Sequence, residues 1–176
     1  VSYEELISII RTQFINPYSH LIPKLEKLGI SLQTIQAFLD GDLSTEELKE
    51  KLSATLDETA YGGCVPTWIR NNQAKIEGLI LLTDPTGINN PCSFDTLELH
   101  YSRTDNNQLK PFEFHKLLRF VRLWRKLGWS IEQTDKVITA LYPADQRPDA
   151  SSQDETNETA KTKLNRGFAT LLPRLE

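Results

Sequence analysis

The stretch RFVRLWRKLGWSIEQTDKVI, residues 119–138, decides how the chain is read. Its first half is crowded with basic and aromatic side chains. Gly128 then stops a helix, and Ser130 with Gln133 opens another by a reciprocal capping pattern. Such a segment is either a tool for gripping nucleic acid or membrane, or a packing element.

Extended back to Pro111, which suits a first helical turn, the 3.6-residue period runs to Leu127. On a helical wheel Phe114, Leu117, Leu118, Val121 and Trp124 share one face, with Lys116, Arg119, Arg122 and Lys126 broadly opposite. Phe120, Leu123 and Leu127 form a second apolar strip, and Trp129 follows the stop. A helix apolar on two sides is expected between neighbours. The predicted core of this element is therefore Phe114, Leu117, Leu118, Phe120, Val121, Trp124, Leu127 and Trp129. Arg125 falls near the centre of the first apolar face, where a charge needs a partner. It is expected in a buried ion pair, with Asp95, Glu98 and Glu132 as candidate carboxylates. The aromatics sit away from most of the basic residues, a poor arrangement for stacking bases. The apolar faces look already used, which argues against a membrane surface.

Working outward, the N-terminal part is punctuated like a helical bundle. Ser2 and Glu5 make a capping box for a helix carrying Leu6, Ile9, Ile10 and Phe14, ended by Asn16–Pro17. Further short helices fit residues 20–28, the segment opened by Ser31 and closed by Gly41, and the segment opened by Ser44. Pro66 suits the start of another, holding Trp68 and Ile69. The run KIEGLILLTDP, with Gly78 inside it, favours a strand, and SFDTLELHYS alternates enough to pair with it. A lone strand pair is marginal in water, so it is expected to lie against helices. A final helix carries Leu164, Phe168, Leu171 and Leu172, interrupted by Pro173.

The expected fold class is mainly α, an array or bundle of short helices with a small two-stranded β element in the middle. Three sections follow: an N-terminal helical bundle segment at 1–56, a loop-rich section with the β pair at 57–109, and C-terminal helices at 110–176. Residues 143–159 carry five acids against one arginine and read as a flexible acidic loop.

The chain has 176 residues and a net charge of −4, so overall charge gives no push toward nucleic acid. No apolar run is long enough to span a bilayer as a helix. Glu4 and Glu5 stand where a signal peptide would be basic. The chain begins with Val1, contains no Met, and carries Pro173 inside its final helix. It is expected to be a section of a longer product, with the array continuing past Glu176.

Catalytic patterns are sparse. His20, His100 and His115 show no metal-ligand spacing among themselves or with Cys64 and Cys92. YGGC before Val65 reads as a turn with a buried thiol rather than a nucleophile, and Asp84, Asp95 and Asp105 read as turn residues. The two cysteines are expected as free thiols, with one disulfide as the alternative. Asn157 begins a glycosylation sequon of the short kind that is common by chance. No catalytic residue, cofactor site or metal site is assigned.

Four blocks in this order carry a resemblance: FINPYSHLIPKLEKLGISLQTIQAFLDG, EGLILLTDP, CSFDTLELHYS and KLLRFVRLWRKLGWSIEQTDKVI. Together they resemble the A subunit of bacterial Tc (toxin complex) insecticidal toxins, over about residues 2–141. The last block is the most specific. The resemblance implies a section of a very large chain that forms a homo-pentamer, in which a helical shell surrounds a central channel. It implies secretion or a bacterial cell-surface location. The implied partners are other parts of the same subunit, other toxin components and a host-cell receptor, with no nucleic acid. In that family the enzymatic activity belongs to another subunit, so the expected role is non-enzymatic and mechanical. The alternative is a free-standing module using the basic helix at 110–127 for nucleic acid or anionic lipid.

Overall fold

The computed structural model describes residues 1–83, 97–148 and 156–175. Its helices are α1 (Tyr3–Ile10), α2 (Ile22–Lys27), α3 (Leu32–Asp40), α4 (Thr45–Lys51), α5 (Val65–Asn71) and α6 (Gln73–Glu77). After these come β1 (Ile80–Thr83), β2 (Glu98–Tyr101), α7 (Pro111–Leu127), α8 (Ile131–Leu141) and α9 (Asn157–Leu171). The fold is mainly helical with one small two-stranded antiparallel sheet, as the sequence patterning implies.

The caps explain the boundaries. Ser2–Glu5, Ser44–Glu47 and Ser130–Gln133 all form reciprocal capping boxes, and Ser31 accepts from the Thr34 amide. Gly41 and Gly128 end α3 and α7 in the left-handed conformation, at φ +88° and +68°. β1 pairs with β2 in the register Ile80↔Tyr101 through Thr83↔Glu98. Beyond a turn in which Asn106 takes φ +49°, the chain returns to β2, and the Tyr101 amide donates to the Asn107 carbonyl at 2.6 Å.

Some boundaries differ from expectation. α1 stops at Ile10 rather than near Asn16, because Thr12 turns back: its hydroxyl and amide both donate to the Ile9 carbonyl. Phe14 thereby leaves the helix and joins the same core as Ile9 and Ile10 from outside it. Residues 73–77 fold as a short helix, and Gly78 precedes the strand instead of lying inside it. The segment expected as an acidic loop contains a short 3-10 turn at Ala144–Gln146, and α9 already begins at Asn157. Cys92, Asp84, Asp95, Phe94 and the middle of that loop lie outside the described residues.

Two hydrophobic cores form, and they cut across the three sections. One joins α2–α6 through Leu21, Leu25, Leu28, Ile35, Phe38, Leu48, Tyr61, Val65, Ile69, Ile76 and Leu79. The other joins α1, the sheet, α7, α8 and α9 through Ile9, Ile10, Phe14, Ile80, Tyr101, Phe120, Leu123, Ile138, Tyr142, Leu164, Phe168 and Leu171. Two buried amides brace the sheet, and that of Gln36 ties it to the α2–α6 core. Asn16 donates from Nδ2 to the Ile80 carbonyl at 3.0 Å and accepts the Ile80 amide at 3.4 Å, acting as a one-residue strand beside β1. Gln36 of α3 donates from Nε2 to the Ser102 carbonyl at 2.5 Å.

Candidate functional site: the two faces of α7

Helix α7 is the longest in the described structure, and its two faces have opposite fates. It starts at Pro111, whose missing N–H costs nothing in a first turn. The Phe112 amide donates to the Asn157 side chain at the start of α9. At the other end the Trp124 indole donates from Nε1 to the Trp129 carbonyl at 2.9 Å, locking the turn around Gly128.

The inner face is Phe112, Lys116, Phe120, Leu123 and the half-buried Leu127, grouped within about 80° of arc at about 100° per residue. Glu113 borders it. This face packs against α8 and α9, with Phe14 stacked beside Phe120 and edge-on to Tyr142 and Phe168. Glu113 and Lys116 are 2% and 3% exposed, and Lys116 Nζ lies 2.5 Å from Glu113 Oε2. The Tyr101 hydroxyl donates to the other carboxylate oxygen at 3.4 Å. Burial first, and then the Glu113 charge, push the Tyr101 hydroxyl well above its ordinary range.

The outer face corrects the sequence reading. Phe114 is 50% exposed, Leu118 47% and Trp129 39%, so three of the side chains expected in the core point to solvent. Leu117, Val121, Trp124 and Leu127 are half-buried, and Phe120 is fully buried. Arg125 is exposed and has no ion-pair partner among the described residues. The buried pair of this helix is Glu113–Lys116. The reason is geometric: Phe114, Leu118 and Arg125 fall within about 40° of one another, diametrically opposite the Phe112–Phe120–Leu123 strip. The wheel shows two apolar strips, and nothing in one helix says which faces the core. Lys116 was expected on the polar side and is buried because Glu113, one turn before, neutralises it.

The basic residues divide the same way. Arg119 is half-buried, donating to the Leu164 carbonyl and to the Asn165 side chain, with its guanidinium 5.2 Å from the Phe168 ring centre. His115, Arg122, Arg125 and Lys126 are exposed on the same side of α7 as Phe114 and Leu118, and Trp129 is exposed just past its end. The outer arc is therefore aromatic, aliphatic and cationic at once. The single carboxylate of α7, Glu113, lies inside.

The other candidate groups do not converge. No cluster of three or more metal-ligating side chains occurs among the described residues. His100 is held on both sides, Nδ1 against the Tyr101 carbonyl at 2.7 Å and Nε2 against the Thr83 hydroxyl at 2.8 Å. Cys64 is half-buried; the Thr67 hydroxyl donates to its sulfur at 3.2 Å, and this bond chiefly lowers its pKa. Asp105 is an exposed turn residue. Between the two cores, Ile7, Ile22, Leu25, Leu32, Leu79 and Leu82 line an apolar groove of about 250 Å³, with the exposed Arg11–Glu26 pair at its rim. No family model, no curated protein and no solved structure matches this chain.

Proposed function

We propose that the chain is a non-enzymatic structural section of the helical shell of a Tc toxin A subunit. In this reading it supports pentamer assembly, host-cell attachment and toxin translocation, in a secreted or bacterial-surface protein. The resemblance of the 116–138 block raises the reading, and one structural observation supports it: that block is a rigid helix–turn–helix. Its inner side is fixed by aromatic packing and a buried ion pair, and its outer side carries large apolar residues that water does not favour. An element stiff on one side and sticky on the other suits a part packed into a larger assembly.

The test is the size of the native product in the source cell, read by immunoblot with antibody raised against this chain. A band many times heavier is expected. A band at 20.1 kDa overturns the reading.

A second reading keeps one observation in its favour, the cationic outer arc. A free-standing module binding nucleic acid or anionic lipid through α7 would show salt-dependent binding to duplex DNA or to phosphatidylserine vesicles, lost in Arg122→Glu/Arg125→Glu.

A further inference from the structure

We propose that the outer arc of α7 is a docking surface for an acidic amphipathic helix of protein. This rests on the shell reading, in which the occupant is a neighbouring section of the same subunit.

The described residues include five exposed large apolar side chains; two of them, Phe114 and Leu118, stand on this arc, and a third, Trp129, follows the turn at its C-terminal end. Solitary exposed apolar residues are ordinary on protein surfaces; two placed one turn apart on one helix face, with an exposed tryptophan just past its end, mark a contact. Between and beside them stand Arg122, Arg125 and Lys126. None of the three makes an ion pair among the described residues. In a chain of net charge −4 this arc contains no carboxylate. Cations at a helix C-terminus answer the helix dipole, which accounts for Arg125 and Lys126 in part. It accounts for neither Phe114 nor Leu118.

The pattern fixes the chemistry of the partner. Apolar side chains are needed opposite the Phe114–Leu118 end and carboxylates opposite the Arg122–Lys126 end. About eleven residues separate Phe114 from Arg125, or about 17 Å of helix, a length matched by three turns of a second helix. Nucleic acid fits poorly. Phe114 and Trp129 are too far apart to stack neighbouring bases, and Leu118 between them offers no stacking face. A bilayer also fits poorly, because Arg125 lies at the centre of the arc and would be carried toward the acyl chains with Leu118 and Phe114.

The test places p-benzoylphenylalanine at position 118, and separately at position 125, in the natural product expressed in its source cell. After irradiation, adducts are mapped by mass spectrometry. Both positions are exposed, so neither replacement disturbs the core. The expected result is that both cross-link to one protein segment, with apolar residues reached from 118 and acidic residues from 125. Arg122→Glu with Arg125→Glu should reduce the adduct from position 118 about tenfold. Adducts to lipid or nucleic acid, adducts to a segment without carboxylates, no protein adduct at all, or full yield in the charge-reversed variant would each overturn the proposal. If the segment qualifies but belongs to a separate polypeptide, the docking surface stands and the shell reading fails.

Discussion

The two cores of this molecule are built on different plans. The α2–α6 core is mostly aliphatic and wrapped by helices of five to nine residues. Helices that short are marginal in isolation, so hydrogen-bonded caps and tertiary contact must carry them. The second core is held by the three longest helices, α7, α8 and α9, by the interlocked rings of Phe14, Phe120, Tyr142 and Phe168, and by a buried ion pair. Its residues come from both ends of the sequence. In the first core α3 and α4 carry hydrogen-bonded serine caps, whereas α2, α5 and α6 have no side-chain cap and rely on packing. The second depends on shape matching between distant segments and should be less forgiving.

The largest expected effect lies in the second core. Phe120→Ala removes a fully buried ring from the aromatic cluster and should cost about 3–5 kcal/mol by denaturant melting. A cost near that of an exposed residue would mean the cluster collapses around the gap, and the contrast between cores would weaken.

Breaking the ion pair comes next. Lys116→Met alone leaves Glu113 charged and buried beside Tyr101, and should cost about 3–5 kcal/mol. Adding Glu113→Leu should recover most of that loss. A double variant no better than the single one would show that the pair contributes more than mutual neutralisation.

Gly167→Ala should follow. An added Cβ would sit 2.1 Å from the Tyr142 hydroxyl and ring, and that ring is wedged against Phe168. Overpacking of this kind costs about 1–3 kcal/mol. The Tyr142 hydroxyl also has its pKa raised to about 12, mainly by burial. Displacing the ring into water should bring that value back toward the ordinary 10, readable by ultraviolet titration.

Smallest is the capping change in the first core. Ser44→Ala should cost about 1 kcal/mol. Glu47 is held below its ordinary pKa, chiefly by the Ser44 amide that it accepts. A depressed carboxylate stabilises above its unfolded pKa and loses that effect as pH falls through its folded value. The gap between wild type and Glu47→Gln should therefore close as the melt is repeated from neutral pH into the acid range. A gap that widens on acidification would have the wrong sign for this cap.

The first core was far more legible than the second. Ser31, Gly41, Ser44 and Pro66 announce their helices locally, and the structure has helices there. For α7 the boundaries were equally plain, since Pro111, Gly128 and Ser130 mark them. Its orientation was not. With two apolar strips on one helix, the choice between them rests on Phe14, Ile138 and Phe168, and the sequence of α7 holds no information about where those residues arrive. The same blindness assigned the buried charge to Arg125. A signal for the true pair did exist: Glu113 and Lys116 are one turn apart, the spacing at which opposite charges meet on a helix. Asn16 and Gln36 gave no warning either, because their buried bonds go to backbone groups more than sixty residues away.

Asp135 shows what such distance means for a chain being made. Its carboxylate accepts the amides of Gln13 and Phe14 at 2.9 and 2.8 Å, across separations of 122 and 121 residues. On a ribosome adding roughly 5–20 residues per second, those two amides wait about 6–24 s for their acceptor to be synthesised. In that interval α1 can already meet β1 through Ile80, and α2–α6 can close, but Tyr142 and Phe168, against which Phe14 packs edge-on, are not yet made. The turn after α1 is thus held by a carboxylate made long after it, so its two amides are satisfied only once α8 has arrived.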